Sequence, residues 1–60
     1  MLTVQEIANK LSVTDRTVRL WLESGRLKGY KFGKDYRVDP EDFKEFVENA
    51  RVNPDAIQNN

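Results

Sequence analysis

The sequence predicts a mainly α-helical fold with one small β-hairpin, in the order helix, tight turn, helix, hairpin, helix. Three observations carry this. Two stretches with helical apolar spacing, Val4-Ile7-Ala8-Leu11 and Val18-Trp21-Leu22, are separated by three or four residues, which suits a helix-turn-helix. After Leu27 the period drops to two, with Tyr30, Phe32, Tyr36 and Val38 alternating around Gly33-Lys34-Asp35, the pattern of a hairpin with turn chemistry at its tip. Asp39-Pro40-Glu41-Asp42 then opens a last apolar-periodic run, Phe43-Phe46-Val47-Ala50, with a cap, a first-turn proline and acids at the positive end of the helix dipole.

Each element has its own local signal. Thr3-Val4-Gln5-Glu6 has the form of a capping box and starts a helix over 4–11. Ser12-Val13 interrupts it, and Val13 is expected to plug the corner between two helices. Thr14 is the next cap, followed by Asp15, whose charge suits a helix N-terminus. The second helix should run Asp15–Ser24 and end at Gly25. In the hairpin, an aromatic face is expected to pack on the helices while Lys31 and Arg37 point the other way, with Lys34 near the tip. Gly29 marks a bulge or a close backbone approach. The third helix should stop at Asn53-Pro54. The expected core is Val4, Ile7, Ala8, Leu11, Val13, Val18, Trp21, Leu22, Leu27, Tyr30, Phe32, Val38, Phe43, Phe46 and Val47. Residues 1–51 thus form one domain, and residues 52–60, polar and ending Gln58-Asn59-Asn60, read as a flexible tail.

Composition narrows the chemistry. The chain has 60 residues, with no His and no Cys. That leaves no imidazole base, no thiol nucleophile, no disulfide and no zinc finger. Nothing pairs a nucleophile with a base, so no enzyme, catalytic residue, metal or cofactor is expected. Glu41, Asp42, Glu45 and Glu48 are read as helix capping and a solvated face, since they lack the glycine turn of a calcium loop. No apolar run approaches a membrane span, and no leader segment is expected. The chain reads as soluble and cytoplasmic.

The ten basic and ten acidic residues sum to zero, which by itself argues against nucleic acid. They are not evenly mixed. Residues 16–37 hold seven basic side chains against Glu23 and Asp35, a net +5. The segment 38–60 is net −4 and the segment 1–15 net −1. Since screening sets in over about 8 Å, a polyanion touching only the middle third meets a cationic surface.

The second helix offers Asp15, Arg16, Thr17, Arg19 and Leu20 on the face its core residues leave free. Helix-turn-helix proteins read the major groove with the N-terminal residues of such a helix. Arg can donate two bonds to guanine, Asp can accept from cytosine, and Thr14 and Thr17 suit phosphate or a thymine methyl. A plain alternative stands beside each: Thr14 and Asp15 as caps, Arg16 and Arg19 as solvated surface. Trp21 reads as core rather than a base-stacking platform. Tyr30 and Tyr36 read as core too, though a hydroxyl can reach a phosphate.

The run from Leu2 to Val47 resembles the excisionase-type winged helix-turn-helix, a family of the broader mercury-resistance-regulator (MerR-like) superfamily. The matching signatures are Leu2-Thr3, Val13 in the turn, Thr17-Val18 followed by Trp21, Ser24-Gly25-Arg26-Leu27, Lys31-Phe32-Gly33 and Tyr36-Arg37-Val38. The resemblance implies binding of double-stranded DNA through the second helix in the major groove and through the hairpin wing. The stretch Thr14–Arg19 is then the reading head. Arg26, Lys28, Lys31, Gly33, Lys34, Tyr36 and Arg37 are the further DNA-binding candidates, most of them on the wing.

Stand-alone small members of the family resemble recombination directionality factors of phages and mobile elements, which bind repeated sites and help bend DNA for an integrase. A small phage-type transcriptional regulator is the nearest alternative. A protein-interaction adaptor docking by its acidic last helix is the alternative of another class. The long dimerisation helix and effector domain of mercury-type regulators are missing after Val47, so no small-molecule effector is expected. The charge split suggests head-to-tail self-association on DNA, the acidic helix of one copy against the basic segment of the next.

Overall fold

The computed structural model describes residues 1–51. Its elements are β1 (Leu2–Thr3), α1 (Val4–Leu11), α2 (Asp15–Glu23), β2 (Tyr30–Phe32), β3 (Asp35–Val38) and α3 (Pro40–Asn49). This is the mainly helical winged helix-turn-helix that the patterning predicts. The expected flexible tail, 52–60, and the Asn53-Pro54 stop lie outside the described residues.

Local chemistry sets the helix boundaries. Glu6 N–H donates to Thr3 Oγ1 (3.1 Å) and Thr3 N–H donates to Glu6 Oε1 (2.8 Å), so the capping box satisfies two otherwise unpaired donors at the start of α1. The hydrogen bond from the Thr3 amide, the largest cause, holds the Glu6 carboxyl below its ordinary pKa. Ser12 caps the other end in a left-handed conformation (φ 57°, ψ 43°), and Val13 N–H donates to Ala8 O at 3.0 Å. That sharp reversal turns Val13 into the corner between α1 and α2, packed against the core.

Thr14 caps α2, which ends one residue earlier than expected, with Ser24 as its cap. The chain then turns at Gly25, and Leu27 N–H donates to Trp21 O at 3.1 Å. This bond draws Leu27 beneath α2, where it is almost fully buried. Asp39 caps α3 by accepting from Glu41 N–H (2.9 Å), with Pro40 in the first turn. The helix ends at Asn49, well before Asn53.

Val4, Ile7, Ala8, Val18, Leu27 and Val38 form the core, and Leu2, Leu11, Val13, Trp21, Leu22, Tyr36, Phe43 and Phe46 pack around it. Trp21 lies against Phe46, ring centroids 4.9 Å apart, so its role is packing. Val47, expected inside, is exposed.

The sheet brings two departures from expectation. Leu2–Thr3 forms a strand, and the antiparallel order is β1-β3-β2, with Leu2 opposite Val38 and Thr3 opposite Arg37. A two-residue strand has no readable period, and its pairing is non-local. The second departure is the hairpin register. Phe32 pairs with Asp35, Lys31 with Tyr36 and Tyr30 with Arg37, so the loop is the two residues Gly33-Lys34. Only the first of these has positive φ (64°), as a type II′ turn requires.

Directly opposed residues share a face. Tyr30 and Phe32 therefore lie with Arg37 and Asp35, while Lys31 lies with Tyr36 and the buried Val38. A three-residue loop would have put the aromatics opposite Tyr36 and Val38. One residue of loop length reverses the face of a whole strand, and Tyr30 and Phe32 are consequently exposed rather than core.

Candidate nucleic-acid interface

The first turn of α2 stands clear of the core. Its cap, Thr14, accepts from Thr17 N–H at 3.2 Å, and the two hydroxyls are 3.0 Å apart. One hydroxyl proton is used between them, which leaves one for an external acceptor. Asp15 is half-buried, and Arg16 and Arg19 are exposed. Val18 faces inward and is fully buried, which fixes the rotation of α2 and sends Arg16, Arg19 and Leu20 outward. Leu20 is 53% exposed, an apolar group among the polar ones on that face. The sequence placed it there without giving it a role.

A cleft of about 270 Å³ lies between α2, the start of α1 and the wing, and Asp15, Arg19, Lys34, Tyr36 and Arg37 all line it. Residues 18 positions apart in sequence thus supply cations to one concave surface. Arg37 also donates from Nη1 to Tyr36 O at 2.8 Å, which steadies its guanidinium over the strand. The cleft has further walls from Thr3, Val4, Gln5 and Asp35. Sequence reasoning missed the first three because it did not foresee β1 beside β3, and Asp35 because it read that residue as part of the turn.

Other predicted residues are separated from the cleft. Lys31 lies on the opposite hairpin face from Arg37, with its ammonium 5.8 Å from the Tyr36 ring centre, within range of a cation–π attraction. It shares a hollow with Leu22, Glu23 and Gly29. Arg26 and Lys28 share another with Asp42 and Glu45 of α3. The expected basic and aromatic faces of the wing are therefore mixed, and the +5 segment is divided over three surfaces. Gly33 occupies the tip, as expected.

Among the described residues, no group of three or more His, Cys, Asp or Glu is placed to hold a metal ion. No helix there is long and apolar enough to cross a membrane.

The uncharacterized protein YvgK of Bacillus subtilis (strain 168) is 38% identical over 50 residues, 83% of this chain and 16% of that protein. The chain thus spans about a sixth of that relative's length. No solved structure matches the chain significantly. A family model described as a helix-turn-helix domain matches residues 1–51, all of the described fold from β1 through α3. With cap, corner and outward-facing second helix in place, the chain belongs to this helix-turn-helix family, a DNA-binding class and not a class of enzymes.

Proposed function

We propose that the chain binds double-stranded DNA sequence-specifically, with α2 in the major groove and the β2–β3 hairpin as a wing on the flanking backbone or minor groove. The observation that carries this is the shared cleft, in which Arg19 of α2 and Lys34 and Arg37 of the wing line one surface. Cations from two elements around a concavity suit phosphates on either side of a groove. Arg16 and Arg19 read base edges, Asp15 in the first turn accepts from cytosine, and Thr14 and Thr17 donate to phosphate or pack on a thymine methyl. Gly33, Tyr36 and Lys31 complete the wing, while Arg26 and Lys28 contribute long-range field.

In the cell the chain acts as an excisionase-like directionality and architectural factor of a phage or mobile element, cytoplasmic and nucleoid-associated, beside an integrase. The resemblance of Leu2–Val47 to the excisionase-type winged helix-turn-helix supports this. A small transcriptional regulator is the second reading, supported by the same interface. Neighbouring copies associate head to tail on DNA, the acidic α3 of one copy against the basic segment of the next.

The test is duplex binding across salt. Six phosphate contacts give a log–log slope of roughly −5. Arg16→Ala or Arg19→Ala should weaken specific binding by about 1–3 kcal/mol, and Lys34→Ala should weaken all duplexes alike. A flat salt response, or a footprint unchanged in all three variants, overturns the proposal.

A further inference from the structure

Tyr30 and Phe32 stand on the hairpin face turned away from the core, 48% and 60% exposed, with ring centroids 6.2 Å apart. Packing among the described residues does not account for them, and β2 is an edge of the sheet. Their position relative to the cleft is informative. Arg37 pairs with Tyr30 and Asp35 with Phe32, and both Arg37 and Asp35 line the cleft that Arg19 of α2 shares. The aromatic pair therefore lies on the same hairpin face as Arg37 and Asp35, next to that cleft.

Its surroundings are net basic: Lys34 in the adjoining turn and Arg37 across the strand against Asp35, with Arg19 and Asp15 in the adjoining cleft. A second copy presenting the same face would bring like charges together. A polyanion that also offers apolar surface satisfies both features. Duplex DNA does so where deoxyribose and base edges are exposed between phosphate rows.

We infer that Tyr30 and Phe32 form an apolar DNA contact, packing on the sugars and base edges of the groove next to the one that α2 enters. This rests on the duplex-binding reading. The wing then holds DNA by two kinds of contact: Lys34 and Arg37 release counterions, whereas the aromatic pair releases none and is insensitive to salt.

The experiment is fluorescence anisotropy on a labelled duplex enriched from a random pool by the wild-type chain, at several salt concentrations. Tyr30→Ser and Phe32→Ser remove exposed rings, and thermal melts check that the fold is kept. Each should weaken binding by about tenfold, by the same factor at every salt concentration. Lys34→Ala should instead change the salt slope by about 0.9, and Phe32→Tyr should bind as wild type. Wild-type affinity in the double serine variant overturns the inference, and so does a changed slope. A free chain that sediments as a dimer, broken by the double variant, assigns the face to a second copy and also overturns it. No duplex binding by the wild-type chain would defeat the duplex-binding reading itself, an outcome distinct from serine variants that bind normally.

Discussion

Gly29, just before β2, leaves no room for a side chain. A Cβ there would lie 2.7 Å from Leu22 Cδ2, 3.0 Å from Arg37 O and 3.1 Å from Val38 Cγ2. The Leu22 methyl can rotate away, but the Arg37 carbonyl belongs to the ladder and cannot. Gly29→Ala should therefore destabilise the fold by about 1–3 kcal/mol, read as a lower urea midpoint. Of the two readings the sequence allowed for Gly29, close backbone approach is the one realised. Ser12 presents the opposite case. It is exposed and left-handed, a conformation that costs an L-residue about 1–2 kcal/mol. Ser12→Gly removes that cost while loosening the unfolded chain, so a net gain of about 0.5–1 kcal/mol is expected in the same titration. The composition of the turn signalled a break; only its dihedral angles showed that a serine bears the strain.

The starts of the three helices, and α1 and α2 almost to their ends, were legible because their signals are local: a cap oxygen, a first-turn acid or proline, an apolar stripe. The end of α3 was misplaced by about four residues, Asn53 against the observed Asn49. The capping box of α1 also makes a pH prediction. The Glu6 carboxyl has a lowered pKa in the folded chain, so its stabilising effect is full above the ordinary glutamate pKa. It is lost as pH falls through the lowered folded value. Amide protection at Thr3 and Glu6, relative to intrinsic exchange, should fall through that acid window, and Glu6→Gln should abolish this change in protection. The wing was legible as a hairpin but not in its facing. Alternation shows that Tyr30 and Phe32 share a side; it does not show which side, because that depends on whether Asp35 is loop or strand. Cross-strand Hα–Hα or amide nuclear Overhauser effects should link Tyr30 to Arg37 and Phe32 to Asp35. Contacts of Tyr30 with Val38 instead would restore the three-residue loop.

Across the whole molecule, the neutral charge sum hides a polarity, and folding rearranges it. On a duplex short enough to hold one copy, DNA should perturb amides over residues 14–37 and the cleft-lining Thr3–Gln5, while sparing α3. A shift map centred on 41–49 would point to the adaptor reading. Arg26 and Lys28 should respond least within the basic segment, since they sit beside Asp42 and Glu45. The sequence by itself determined the element order, the caps, the core of α1 and α2, and the outward arginines of the second helix, because these depend on neighbours within a turn or two of the chain. Tertiary structure alone decided that Leu2–Thr3 joins the sheet, that Arg19, Lys34 and Arg37 line one cleft while Lys31 does not, and that two aromatic rings face outward. Each of those follows from strand register, and register is a long-range choice: a shift of one residue changes no local preference yet exchanges the two faces of a strand.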